Sequence, residues 1–131
     1  MTPSARSILL VEDEEVVRGL ARKILEDAGY TVLEASGGPE AMRLCQERES
    51  IDLLLTDVVM PETSGREIAD HLASLQPTTP VLFMSGYTDE AIVHHGIVDS
   101  GVEFIQKPFS PLALTRKVRS VLDATGGDPV A

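Results

Sequence analysis

Five short apolar runs alternate along the chain with longer stretches in which apolar residues recur every three or four positions. The runs are Ser7–Val11, Thr31–Ala35, Asp52–Thr56, Val81–Met84 and Val102–Gln106. Short apolar runs separated by helix-period segments predict the buried strands of a parallel sheet. Between them, Val16, Val17, Leu20, Ala21, Ile24, Leu25 and Ala28 predict one buried helix face, which Gly29 terminates. Ala41, Leu44 and Cys45 mark a second helix opened by Gly37-Gly38-Pro39, and Ile68, Ala69, Leu72 and Leu75 a third. A fourth is expected from Thr88, as N-cap, through Ala91, Ile92 and His95. Ser110-Pro111 predicts the start of the last helix, a cap followed by proline at the first helical position, with Leu114, Val118, Val121 and Leu122 as its apolar stripe.

Strand followed by helix, five times over, implies right-handed crossovers and a parallel sheet with helices on both faces. The fold class expected is α/β, a flavodoxin-like (βα)5 three-layer sandwich with strand order 2-1-3-4-5. One domain should span 7–124, between tails at 1–6 and 125–131. Its second strand ends without a chemically active residue, which suits an edge position. The other four strands end on Glu12-Asp13, Asp57, Ser85 and Lys107-Pro108. In open α/β sheets, ligands bind beyond the carboxyl ends of the strands, and this strand order sets Glu12-Asp13 beside Asp57.

Two unit negative charges about 4 Å apart repel by roughly 4 kcal/mol at an effective dielectric of 20. Glu12, Asp13 and Asp57 together therefore call for a cation, and oxygen ligands in a solvated crevice select Mg²⁺. Lys107 adds a positive charge at a neighbouring strand end. Asp57 can then attack phosphorus as a carboxylate nucleophile, with Ser85 offering its hydroxyl to a phosphoryl oxygen. Glu14 and Glu15 continue the acidic run but read as the solvated start of a helix, where negative charge is favourable.

A formal net charge of −10 argues against nucleic acid as a direct partner, because phosphate backbones require basic patches. No apolar stretch approaches the roughly 20 residues of a membrane span. Met1-Thr2-Pro3-Ser4-Ala5-Arg6 lacks the apolar core of a secretion signal, and the single Cys45 permits no internal disulfide. A cytoplasmic module without direct membrane contact is the expectation, whether free or carried by a membrane-anchored parent. Adjacent His94 and His95 would point about 100° apart on a helix and cannot form an i, i+4 metal pair.

With these residues in place, the sequence resembles the receiver domain of two-component response regulators over residues 7 to 124. The resemblance implies that Asp57 is the phosphoacceptor, that Glu12, Asp13 and Asp57 hold Mg²⁺, and that the carbonyl of Val59 completes the protein ligands. Pro61 and Gly65 match the family's loop after the acceptor, and Lys107-Pro108-Phe109 matches its lysine motif, usually with a cis bond before the proline. Ser85 and Phe104 take the places of the switch residues. The stretch from Val81 to Ile92, with Phe104–Phe109, is similar to receivers at the C-terminus of hybrid sensor histidine kinases. The partners implied are a histidine kinase or a histidine phosphotransfer domain, and a phosphorylation-linked dimer through the fourth helix, fifth strand and fifth helix.

Other readings stay open on the residues alone. The chain could be a stand-alone single-domain response regulator. An aspartate-nucleophile phosphatase also uses Asp, Lys and Mg²⁺, but it resembles an Asp-x-Asp pattern, and Val59 stands where the second Asp would be. A phosphate-independent interaction module would have shed some of the polar set. A flavin site is disfavoured by Glu12-Asp13-Glu14-Glu15 at the first connection.

Overall fold

The computed structural model of the chain describes residues 6–48, 50–60, 63–86 and 103–126. Five parallel strands, β1 (Ser7–Val11), β2 (Thr31–Ala35), β3 (Leu53–Asp57), β4 (Val81–Ser85) and β5 (Glu103–Gln106), form one sheet in the order β2-β1-β3-β4-β5. The described helices are α1 (Glu15–Asp27), α2 (Gly38–Glu47), α3 (Gly65–Leu75) and α4 (Pro111–Gly126). The expected helix from Thr88 to His95, the pair His94-His95, Tyr87, Pro61 and the first residue of the last apolar run, Val102, lie outside the described residues.

Alternation along β1 separates two cores. Ile8 and Leu10 pack with Ala21, Ile24 and Leu25 of α1 and with Leu114, Val118, Val121 and Leu122 of α4. Leu9 and Val11 pack on the opposite face with Ala41 and Cys45 of α2 and Ile68 and Leu72 of α3. A strand covered on both faces has no reason to alternate apolar with polar residues, and β3 is buried throughout.

Gly29 and Ser110 close their elements as the sequence predicts. Gly29 takes φ 101° after α1, a conformation glycine adopts without a Cβ penalty. The Ala113 amide donates to Ser110 Oγ at 3.0 Å at the start of α4. Ser64 caps α3 by accepting from the Glu67 amide at 3.2 Å. At the amino ends of the strands the Ser7 amide donates to Asp52 Oδ2 at 2.7 Å, so Asp52 serves as a clamp just before β3 rather than as a strand residue. Beside it, Gln76 Oε1 accepts from the Ile51 amide at 2.8 Å, its Nε2 donates to the Arg48 carbonyl at 3.0 Å, and Thr79 Oγ1 donates to the Ile51 carbonyl at 2.9 Å.

Several apolar residues expected inside are exposed, among them Ala28 after α1 and Phe104 on β5. Val16 is 83% exposed and Leu20 50%, on the flank of α1 that leads to the strand ends, and Leu75 is 47% exposed in the last turn of α3. The buried face of α1 is therefore narrower than its apolar pattern. α4 includes Thr125 and Gly126, which the sequence places in a tail.

Candidate functional site

Register delivers the polar residues to one place. Val11 pairs with Thr56, so Glu12 and Asp57 emerge side by side from β1 and β3. Ser85 pairs with Gln106, and the Lys107 amide donates to the Ser85 carbonyl at 2.8 Å, so Lys107 leaves β5 alongside Ser85. The Lys107–Pro108 bond is cis, as the resemblance implies.

Lys107 Nζ lies 3.0 Å from Glu12 Oε1 and 3.0 Å from Asp57 Oδ1, with Glu14 Oε1 farther off at 4.0 Å. Glu12 is fully buried and Asp57 is 6% exposed. Asp13 is exposed, yet carboxylate oxygens of Glu12, Asp13 and Asp57 all lie within 4.8 Å of one another. Burial and the adjacent Glu12 carboxylate push the Asp57 carboxyl up from 3.8 to about 7, against the opposing pull of Lys107. Burial opposes the charge on Lys107, but Asp57 and Glu12 outweigh it and hold the ammonium above its ordinary value. Three clustered hard oxygen donors, two of them also on Lys107, fit a divalent cation that keeps part of its water shell.

The described residues on the two sides of the loop after β3 are bonded to one another. The Gly65 amide donates to the Val58 carbonyl at 2.9 Å, the Met60 amide to the Thr63 carbonyl at 3.2 Å, and Val59 bridges Ser64 in antiparallel fashion. Val59 is 44% exposed, at the mouth of a cleft of about 580 Å³ that reaches from Asp57 to Leu20 and Phe109. Gly65 seats the first turn of α3 directly on the end of β3: a Cβ there would run into the Asp57 carbonyl oxygen and lie 3.0 Å from Thr56 Cγ2. Ser85 is 4% exposed at the end of β4, whereas Phe104 is partly exposed on β5, away from the acidic group. Cys45 is a buried core residue whose thiol is pushed up by burial, with no part in the site.

Sequence reasoning missed the support beneath Glu12. The Glu14 amide donates to Glu12 Oε2 at 3.1 Å, and Arg18 donates to the Glu12 carbonyl at 2.9 Å while its Nε pairs with Glu34 Oε1 at 3.3 Å. The i, i+4 step from Glu14 to Arg18 was the one available signal, and it does not identify Glu34 across the sheet.

The chain matches the response regulator receiver domain over residues 8–119. It is 36% identical over 118 residues to the sensor kinase CckA of Brucella abortus (strain 2308), covering 89% of this chain and 12% of that protein. The response regulator receiver protein CpdR of the same strain is 34% identical over 119 residues, covering 91% of this chain and 98% of that one. The crystal structure of the receiver domain from the hybrid histidine kinase CckA is similar with a TM-score of 0.75 and 37% identity, covering 88% of this chain and 98% of that one. The chain spans about half the length of other curated relatives it matches. Receiver domains are phosphoacceptor signalling modules rather than classical enzymes, they work with histidine kinases and phosphotransfer proteins, and as a family they bind Mg²⁺ at such acidic clusters. Among the described residues, no helix is long and apolar enough to cross a membrane. The strand order, the acidic pocket with its lysine and the family match agree: this chain belongs to the response regulator receiver domain family.

Proposed function

We propose that Asp57 accepts a phosphoryl group from a phosphohistidine, with Mg²⁺ held by Glu12, Asp13, Asp57 and the Val59 carbonyl. The observation that carries this reading is Lys107 Nζ, 3.0 Å from both Glu12 and Asp57 in a nearly buried group that Asp13 flanks. An Asp57 oxygen forms the new P–O bond as the P–N bond to the donor imidazole breaks and the imidazole leaves with the electron pair. Bound Mg²⁺ would neutralise charge on the non-bridging phosphoryl oxygens. Lys107 is positioned to pair with another of those oxygens, and Ser85 to donate its hydroxyl to a third.

The donor arrives over α1. Leu20 and Val59 are exposed apolar residues lining the cleft, and an apolar surface at the mouth of an acceptor site suits a partner that must dock before it transfers. The partner is a histidine kinase or a histidine phosphotransfer domain; with a net charge of −10 the chain is not a direct nucleic-acid binder. Phosphorylation then draws Ser85 inward and shifts Phe104, changing the surface of β5 and α4, through which, with the expected helix from Thr88, a phosphorylation-linked dimer would form. The only reactions of its own are self-phosphorylation from small donors and self-dephosphorylation. We assign the module to a cytoplasmic phosphorelay, in line with its similarity to a hybrid-kinase receiver. A stand-alone regulator is the second reading, favoured by a relative that is itself almost wholly covered.

Incubation with acetyl phosphate or beryllofluoride tests the site. One modification at Asp57 is expected, dependent on Mg²⁺ and absent from Asp57→Asn. Modification that persists in that variant, or in EDTA, overturns the assignment.

A further inference from the structure

We propose that Gly38, the first residue of α2, is a positioning residue for the Mg²⁺ site, acting through Thr63 on the loop that carries Val59. The inference rests on the reading of Val59 as a metal ligand. Gly38 is buried, and a Cβ there would lie 2.6 Å from Thr63 Cγ2, 3.1 Å from its Cβ and 3.5 Å from its Oγ1. The bare backbone of the α2 start thus forms a wall against one side chain. That side chain is not free to turn aside. Thr63 Oγ1 is tied to Glu67 Oε1 at 2.9 Å, which fixes the rotamer that aims the methyl at Gly38, and Thr is stiff at χ1.

Thr63 is coupled to the ligand by backbone. Its carbonyl accepts from the Met60 amide at 3.2 Å, the next residue Ser64 bridges Val59, and the Gly65 amide closes the turn on the Val58 carbonyl. A displacement at Thr63 therefore passes to both sides of the Val59 peptide. Gly65 seats one end of the turn on Asp57, and the Gly38 wall stops the other end from swinging outward toward α2. A cation that accepts only narrow departures from octahedral geometry is sensitive to where one carbonyl stands.

Isothermal calorimetry of Mg²⁺ binding to the whole chain, well below the unfolding temperature of each variant, tests this. Gly38→Ala should weaken Mg²⁺ binding by about tenfold, the size of effect seen when outer-shell support is lost. Thr63→Ser removes the methyl that an alanine would meet but keeps the hydroxyl bonded to Glu67. The double variant Gly38→Ala/Thr63→Ser should therefore return to within about twofold of the parent. Thr63→Ala introduces no overlap, so it tests the contact even if Gly38→Ala alone does not fold. It should weaken binding by a few-fold, because the loop then has nothing to rest against.

A folded Gly38→Ala that binds as the parent does, a double variant as weak as Gly38→Ala, or a Thr63→Ala equal to the parent each overturns the inference while leaving the metal site standing. A parent that binds no Mg²⁺ overturns the reading of the site itself. Loss of thermal stability without loss of affinity marks Gly38 as a packing residue only.

Discussion

Asp57 should destabilise the metal-free protein, and replacing it by Asn should stabilise that state. Its carboxyl stands at about 7 instead of 3.8, chiefly through burial and then through Glu12. At 1.36 kcal/mol per unit, ionised Asp57 costs the fold about 4 kcal/mol relative to its protonated form, to order of magnitude. Asn mimics the protonated acid, and Lys107 keeps its 3.0 Å contact with Glu12.

The sign follows from proton counts. Between pH 3.8 and about 7 the folded chain holds a proton on Asp57 that the unfolded chain has released, so parent stability falls as pH rises through this window. In EDTA at pH 8, Asp57→Asn should exceed the parent by about 2–4 kcal/mol in urea unfolding followed by far-ultraviolet dichroism, a difference that shrinks toward pH 4. Mg²⁺ at a hundredfold excess over its dissociation constant should return about 2.7 kcal/mol to the parent and less to the variant. A variant less stable than the parent in EDTA at pH 8, or an advantage that ignores pH, refutes the reasoning.

Lys107→Ala leaves Glu12 and Asp57 adjacent without their shared cation; the metal-free protein should lose about 3 kcal/mol in the same unfolding assay. Its labelling by acetyl phosphate should slow by about 10²-fold or more, read by intact mass. Gly65→Ala forces a methyl group against the Asp57 carbonyl and Thr56, and should cost about 1–3 kcal/mol by thermal unfolding. Val59→Asn replaces a half-exposed apolar side chain at the cleft mouth with an amide able to orient water, and should speed loss of phosphate by up to about 10²-fold in a decay assay. Resonances of Phe104 should shift on addition of beryllofluoride with Mg²⁺, and shifts confined to the neighbourhood of Asp57 would count against the switch.

What could be read in advance was what the chain states locally. Strands buried on both faces announce themselves as unbroken apolar runs, so Leu53–Leu55 and Ile8–Val11 needed no structure to place them. Polar residues closing those runs then had one geometric meaning once the strand order was chosen. Periodicity could not say how wide a helix face the sheet would cover. Val16 and Leu20 fit the α1 pattern but are exposed, and Leu20 lines the cleft instead of the core. Arg18 and Glu34 were illegible for another reason: their pairing crosses from a helix to the edge strand, 16 positions apart, and any surface Arg and Glu look the same in sequence.

The ties at the amino ends of the strands give the molecule two unlike poles. Ser7 with Asp52, and Gln76 with Arg48 and Ile51, lash the turns between elements to one another through neutral or singly charged groups with their partners at hand. The acidic pole stands five strand residues away, about 17 Å. A protein that must change its charge reversibly at one end profits from an opposite end indifferent to that change. The ties at Gln76 involve no group of the acidic pole, so a change of charge there leaves them in place.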